Sequence, residues 1–205
     1  MKKVILSIAL LSGIAFTTQA QTEKGKFIVG GNVSYSTTKS DADNAKASHD
    51  FSIVPNVGYF VSDNIAVGTG IGYLSSKAST ANPIGKQEAF VVSPFGRYYT
   101  PIAEKFKFFG QLSVPMAFGL TKAIDGDLKV GDKSSDYTSI GVALSPGFAF
   151  YPSSKIGIEF AFNGITYNNQ SFEDGDGNDI KDASGNSFSI GTDFFAPRIG
   201  IQFHF

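Results

Sequence analysis

Apolar residues alternate with polar or small residues along eight separate segments of the chain. The last segment shows the pattern most clearly, because apolar side chains occupy every second position from Phe195 to Phe205, with Arg198 and Gln202 between them. Alternate side chains of an extended chain point to opposite sides, so this spacing predicts β-strands with two unlike faces. The segments begin at Phe27, Phe51, Ile65, Phe90, Phe106, Ile140, Ile156 and Phe195.

The connections between these segments alternate in length. Short connections at 62–64, 100–105 and 152–154 separate long polar ones at 36–49, 75–87, 121–136 and 166–187. An even number of alternating strands, with short turns at one end and long loops at the other, is typical of an outer-membrane barrel. The sequence therefore predicts an all-β fold, an eight-stranded antiparallel up-and-down transmembrane β-barrel with its apolar face towards lipid.

A soluble barrel of the lipocalin type also has eight strands and is the alternative interpretation. It would need the apolar face inside and the charged residues outside. Here the polar face, which is predicted to point inward, carries many Gly, Ala and Ser residues that fit the narrow interior of a small barrel, together with Asn32, Ser52, Asn56, Asn163 and Gln202. The small residues therefore favour the transmembrane interpretation.

The N-terminus predicts export from the cytoplasm. Lys2 and Lys3 precede an apolar run at 4–16, and the small residues Thr18 and Ala20 follow it. This arrangement is typical of a secretory signal peptide at 1–20, which leaves the barrel domain at 21–205. A membrane anchor is the alternative, but the run is too short for about 30 Å of hydrocarbon. The predicted location is the outer membrane of a Gram-negative bacterium.

Composition agrees with many short strands and narrows the class. The chain has 20 Phe, 8 Tyr and 23 Gly, with no Trp. It has no cysteine, which excludes disulfides and a lipid-anchored cysteine, and its formal net charge of −1 gives no indication of a nucleic-acid partner. Aromatic residues at segment ends are expected to form the girdles at the two membrane interfaces: Tyr35, Tyr59, Tyr73, Tyr98 and Phe205.

Four prolines occupy apolar-face positions of the even-numbered strands, one in each strand, and a glycine follows each of them closely. They are Pro55, Pro94, Pro146 and Pro197. A proline has no amide proton for a strand ladder, so each is expected at a bulge or bend and on the lipid side. The spacing also suggests a hairpin repeat.

The signal peptide, the eight segments, the proline–glycine hairpins and the C-terminal Phe resemble the small outer-membrane β-barrel family of the OmpA/OmpX type. The stretches SPFGRYY and GIQFHF are most similar to its Bacteroidetes members. The resemblance implies that Ile201, Phe203 and Phe205 form the signal read by the outer-membrane insertion machinery. The longer members carry a peptidoglycan-binding domain, which is not expected in this chain.

The inward face carries the candidate charge cluster. Arg97, Lys107 and Arg198 are predicted to point inward from their strands, as Glu159 does. An unpaired buried ion is costly, so these four side chains are expected to cluster. Glu159 on strand seven is expected to bond Arg198 on strand eight or Arg97 from across the lumen. Tyr99, Gln111 or water would complete the cluster and plug the barrel.

Other candidate chemistry is sparse. His49 and His204 are predicted at opposite ends of the barrel and cannot share a site. A hydrolase site built from His49, Asp50 and a loop serine lacks a nucleophile elbow or any metal-ligand spacing. The acidic loop from Glu173 to Asp182 departs from the calcium-loop pattern at its sixth and twelfth positions, so a solvated loop tip is favoured over a cation site. No cofactor or metal is expected.

Three functions remain open at this stage. The favoured one is a non-enzymatic barrel that supports envelope integrity and presents loops for adhesion or an extracellular ligand. The others are a narrow channel or small-ligand carrier, and an outer-leaflet lipid-modifying enzyme. The expected partners are outer-membrane lipids, lipopolysaccharide and the insertion machinery, and a monomer is expected.

Overall fold

The computed structural model describes residues 22–39, 47–77, 85–124, 130–191 and 198–205. The predicted signal peptide and Pro197 lie outside these ranges. Within them, eleven strand segments form one antiparallel sheet. The segments are β1 (Phe27–Thr38), β2 (Ser48–Ser62), β3 (Ile65–Lys77), β4 (Gly85–Ala103), β5 (Phe106–Ser113), β6 (Met116–Ile124), β7 (Val130–Ser153), β8 (Ile156–Ala161), β9 (Ile165–Glu173), β10 (Gly185–Ile190) and β11 (Arg198–His204).

The sheet closes into a barrel because its first and last strands pair. In β1 and β11, Ile28 lies opposite His204 and Gly31 lies opposite Ile201. The segments β5 and β6 are consecutive parts of one barrel strand, as are β8 and β9, and β10 and β11. The prediction of an eight-stranded antiparallel barrel is confirmed. No helix in the described part of the chain is long and apolar enough to cross a membrane.

Two barrel strands are interrupted within predicted segments in the described part of the chain, at 114–115 between β5 and β6 and at 162–164 between β8 and β9. Pro94 and Pro146 lie next to these interruptions, but their own strands β4 and β7 continue through them. The backbone N–H of Val114 donates to the Pro94 carbonyl at 3.0 Å, and that of Phe162 donates to the Pro146 carbonyl at 2.9 Å. The N–H and C=O of one residue in an antiparallel strand point towards the same neighbouring strand. Proline has no N–H, so each proline offers no donor to the neighbouring strand that is interrupted.

Pro94 and Pro146, which were expected at a bulge or bend, lie where pairing with the neighbouring strand becomes irregular. The neighbouring strand loses one ladder bond and departs from regular pairing, at Val114 in one case and after Ala161 in the other. Pro55 lies in β2 opposite Gly31, whose φ of +149° would be strained for most other residues.

The two faces of the sheet have the predicted character. On the outer face, Leu112, Val142 and Ile201 are about half exposed in the isolated protein. The inner face buries polar and charged side chains near the middle and large aromatic ones towards the end with the short turns. The predicted girdle residues Tyr59, Tyr98 and Phe205 lie on the outer face near the short-turn end, and Tyr35 and Tyr73 lie near the other end.

The long connections contain more strand than the sequence predicted. β7 runs for 24 residues from Val130, and β9 continues to Glu173, so much of 121–136 and 166–187 is paired sheet. Ser36, predicted to lie in a loop, belongs to β1 and donates to Asp50 at 3.1 Å. Beyond the apolar band both faces of a strand carry polar residues, so the sequence pattern does not show where the strand ends. The predicted ends of these strands were wrong for this reason.

The short turns and the C-terminus lie at one end of the barrel, where Phe27 and Phe205 exchange backbone hydrogen bonds of 3.0 and 2.9 Å. We expect this end to face the periplasm. Trypsin added to intact cells should then cut after Lys181, within 166–187, and spare Lys155 beside the short turn at 152–154. Both lysines are exposed, so accessibility in the folded barrel does not favour either one. Cleavage at Lys155 alone would reverse the orientation.

Candidate functional site in the barrel lumen

An ion pair crosses the lumen between opposite walls. Arg97 on β4 donates from Nη1 to Glu159 Oε1 on β8 at 2.5 Å, and both residues are only 6% exposed. Arg97 Nη1 also donates to the Tyr99 hydroxyl at 2.8 Å, and its Nε and Nη2 donate to Gln111 Oε1. Gln202 Nε2 donates to Glu159 Oε2 at 2.8 Å. The two charges are therefore paired and hydrogen-bonded, which buried ions require.

Aromatic rings pack around the arginine. The guanidinium carbon of Arg97 lies 4.4 Å from the centroid of the Phe109 ring and 5.6 Å from that of Phe95. These distances are within the range of cation–π attraction, which is stronger away from water. Phe109 therefore fixes the guanidinium as well as filling the lumen.

The expected cluster of four charges is only half assembled. Glu159 bonds an arginine as expected, but Arg97 is that partner and not Arg198. No ion pair within 4.0 Å joins Arg198 to an acid in the described ranges. In the register of β8 and β11, Glu159 lies opposite Gly200 and Arg198 lies opposite Ala161, so the two side chains are offset along the strands.

Lys107 does not join Arg97 and Glu159 either. Its ammonium donates to the hydroxyl of Thr22 and lies 3.4 Å from Asn64 Oδ1. Thr22 in turn donates to Asn64 Oδ1 at 2.8 Å, and the Asn64 N–H donates to the Thr22 carbonyl. Lys107 thus holds the segment before β1 across the short-turn end of the barrel.

A layer of large side chains fills the lumen between these two polar groups. We call it the aromatic layer; its members are Phe60, Tyr99, Phe109 and Tyr151, all less than 2% exposed. Tyr99 lies 5.8 Å from Phe109 and 5.7 Å from Phe60, centroid to centroid. His204 packs against Phe60 and Tyr151 and is also buried.

Sequence reasoning missed the aromatic layer, although a signal was present. Each member follows another large aromatic residue directly, in the pairs YF, YY, FF and FY that end at Phe60, Tyr99, Phe109 and Tyr151. Adjacent strand residues point to opposite faces, so each pair places one ring outside and one inside. Of the outer rings, Tyr59 and Tyr98 were predicted as girdle residues, and of the inner rings only Tyr99 was expected in the lumen.

A cavity of about 400 Å³ lies on the long-loop side of the ion pair. Nine side chains predicted to point inward line it: Asn32, Ser52, Asn56, Arg97, Gln111, Glu159, Asn163, Arg198 and Gln202. Asn56 Oδ1 and Gln202 Oε1 are buried there without a protein hydrogen-bond partner. Buried amide oxygens require partners, so water or a polar solute is expected to bind them.

The remaining candidate groups are not assembled for catalysis. His49 Nδ1 lies 3.0 Å from the Tyr35 hydroxyl, whereas Asp50 accepts from Ser36 and Ser76 on the opposite face of β2. Adjacent strand residues diverge, so His49 and Asp50 do not form a pair.

The acidic loop bonds to itself. Asp174 Oδ1 accepts from the backbone N–H groups of Asp176 and Asn178, each at 2.9 Å. The bond from Asn178 holds the pKa of the Asp174 carboxyl below its ordinary value. This is a turn closed by its own aspartate. Within the described ranges, no group of three or more His, Asp or Glu could hold a metal ion.

Residues 6–202 match the family described as outer membrane protein beta-barrel domain. The chain belongs to this family. The match begins inside the predicted signal peptide, so the boundary at residue 20 stays a prediction. No curated protein matches the chain. As a member of the outer membrane protein β-barrel domain family, the protein is an outer-membrane protein whose apolar outer face contacts lipid.

Three solved outer-membrane proteins are similar to this chain at low sequence identity. Neisserial surface protein A is 14% identical, with a TM-score of 0.46 over 89% of this chain and 98% of that one. OprG from Pseudomonas aeruginosa is 14% identical, with a TM-score of 0.48 over 91% and 99%. A major outer membrane protein from Thermus thermophilus is 12% identical, with a TM-score of 0.46 over 88% and 99%.

In this outer membrane β-barrel, the C-terminal residues Ile201, Phe203 and Phe205 all point outward and are about half exposed or more. Their register against β1 is regular from Gly31 to Ile28. Another protein could contact these three outward-facing apolar side chains before the barrel closes. Its role as an insertion signal remains a proposal.

Proposed function

We propose that the protein is a non-enzymatic, sealed outer-membrane barrel that supports envelope integrity and presents its long hairpins at the cell surface. The observation that carries this proposal is the closure of the lumen. The bond between Arg97 and Glu159 spans it, the aromatic layer fills it beyond that bond, and Lys107 ties the segment around Thr22 across its end. A barrel of eight strands has an interior that side chains can fill, and the packing between Arg97 and Thr22 supports such a seal below the cavity.

Ion conductance in planar bilayers tests the seal. The wild-type barrel is expected to show no steady conductance. The triple variant Tyr99→Ala, Phe109→Ala, Tyr151→Ala removes three inner rings and is expected to conduct, because the lumen then lacks most of its aromatic layer.

The matched control removes the outer ring of each pair, in the triple variant Tyr98→Ala, Phe108→Ala, Phe150→Ala. It deletes similar volume from the same three strands and should stay closed. Steady conductance of the wild-type barrel, at a level close to that of the inner-ring variant, would refute the sealed-barrel proposal.

The cavity supports a second candidate, a carrier of a small polar solute. Pockets of this order of volume hold small molecules, and the unpartnered Asn56 and Gln202 oxygens call for donors. A solute bound there would meet the ion pair and not pass. Side-chain amide NMR signals of Asn56 and Gln202 should shift on addition of small polyols if this function holds, and stay unchanged if the cavity holds only water.

The lipid-modifying hypothesis gains no support from the geometry, because His49 and Asp50 face apart. Mass spectrometry of lipid A from expressing and deleted cells tests it directly. We expect identical lipid A in both.

A further inference from the structure

Basic side chains form a row across neighbouring strands at the long-loop end. His49 lies opposite Lys77, Lys77 opposite Lys86, and Lys86 opposite Lys122. Lys122 in turn lies opposite Lys133. Directly paired residues of a sheet have neighbouring side chains on the same face. We call these five residues the basic row.

The basic row lies on the outer face of the barrel. Lys86 is four residues from Phe90 on β4, and Lys122 is four residues from Phe118 on β6. Phe90 and Phe118 are exposed outer-face residues, and an even separation along a strand preserves the face. The lysines therefore point away from the lumen, towards the surroundings of the barrel.

The height of the row matches a membrane interface. Tyr98, an exposed outer-face aromatic near the short turns, is twelve positions from Lys86 along β4. With about 3.3 Å per residue and a strand tilt of about 40°, this separation is about 30 Å along the barrel axis. The apolar band of such barrels is about 25 Å tall. Lys86 and its paired neighbours thus lie just beyond the hydrocarbon, where lipid headgroups are.

One carboxylate holds two of the lysines in place. Lys86 Nζ lies 2.7 Å from Glu88 Oε1, and Lys122 Nζ lies 2.9 Å from Glu88 Oε2. The Tyr73 hydroxyl donates to Glu88 Oε1 at 2.6 Å. An ammonium has three N–H donors, so Lys86 and Lys122 each keep donors after bonding Glu88. With Lys77 beside them, three positive charges face one negative charge.

This arrangement conflicts with what stability alone would favour. Like charges directly opposite each other destabilise a sheet, and the row places lysine opposite lysine three times. On β7 the conflict is relieved, since Lys133 lies 2.5 Å from Asp136 and Glu173 lies opposite Asp136. No such excess of acid accompanies Lys77, Lys86 and Lys122 in the described part of the chain. An external anion would relieve the repulsion there.

We infer that Lys77, Lys86 and Lys122 form a binding site for the phosphate group of a phosphorylated glycolipid in the outer leaflet. Glu88 and Tyr73 hold two of the ammonium groups at a fixed spacing. Phe90 and Phe118 lie one step below, on the membrane side of Glu88, where the lipid's acyl chains would pack. This apolar surface beneath the charges favours a lipid over a soluble phosphate. The inference does not depend on whether the lumen is sealed.

Native mass spectrometry of the refolded barrel tests the site with defined lipids. The probes are lipid A, the same lipid A with its phosphates removed, and inorganic phosphate. The wild-type barrel is expected to retain lipid A and neither of the other two. The triple variant Lys77→Gln, Lys86→Gln, Lys122→Gln should bind lipid A about 100-fold more weakly, because each basic residue near a membrane surface contributes roughly a factor of five.

Two variants and one condition serve as controls. Lys24→Gln, Lys105→Gln, Lys155→Gln makes the same charge change at the short-turn end and should leave lipid A binding unchanged. Replacing Lys77, Lys86 and Lys122 with Arg should restore it. With the wild-type barrel, added salt should weaken retention of lipid A, since the contacts are ionic. Equal retention of lipid A with and without its phosphates, equal losses in the two Gln variants, or retention that salt does not change would each overturn the inference.

Discussion

A Glu159→Gln variant is expected to lose about 3–5 kcal/mol of unfolding free energy, the usual cost of removing one partner from a buried ion pair. Glu159 and Arg97 are each only 6% exposed, and water in the adjoining cavity would reduce the loss. The Arg97 guanidinium would keep its bonds to Gln111 and Tyr99 but would face no negative charge. Urea unfolding of the barrel refolded in lipid vesicles measures this loss.

Two further variants show whether the loss comes from an unpaired charge. In the double variant Arg97→Gln, Glu159→Gln both charges are absent, so its stability should exceed that of Glu159→Gln alone. The exposed pair of Glu23 and Lys26, at 3.5 Å, is the matched surface case, and Glu23→Gln should cost about 0–1 kcal/mol. A Glu159→Gln barrel as stable as the wild type would show that the pair does not stabilise the fold.

A Leu112→Arg variant is expected to lose about 2–4 kcal/mol, the cost of a cation on the lipid face near the middle of the membrane. Leu112 is 53% exposed on the outer face and lies six residues from Phe106, at the short-turn end of β5. At about 3.3 Å per residue and a tilt of about 40°, that places it about 15 Å into a band about 25 Å tall. The measurement is again urea unfolding in vesicles.

Depth should modulate this cost. Val142, also on the outer face, is eight residues from Phe150 on β7 and therefore nearer the long-loop interface, so Val142→Arg should cost less than Leu112→Arg. Asp182→Arg, at an exposed position in the turn between β9 and β10, should cost almost nothing. Ser36 cannot serve as that control, because it is a strand residue bonded to Asp50. Equal stabilities for all three variants would contradict the assigned faces.

The sequence by itself determined the barrel, its eight strands and the face on which most strand residues lie. These features follow from alternation along single strands, which is a local property that needs no knowledge of neighbours. The inward positions of Asn32, Ser52, Asn56 and Gln111 were predicted in this way, and all four line the cavity. The length of the hairpins beyond the membrane was not predictable, because strand residues and loop residues there are both mostly polar and give the same sequence pattern.

Only the tertiary structure decided which inward residues meet. Alternation along each strand placed Arg97, Lys107, Glu159 and Arg198 inside, but the height of each along the barrel depends on strand register, tilt and the interruptions at Val114 and after Ala161. The register leaves Arg198 offset from Glu159, and closure of the barrel brings Arg97 to Glu159 across the lumen. The basic row likewise exists only because the register of four neighbouring strand pairs aligns residues that are far apart in the chain.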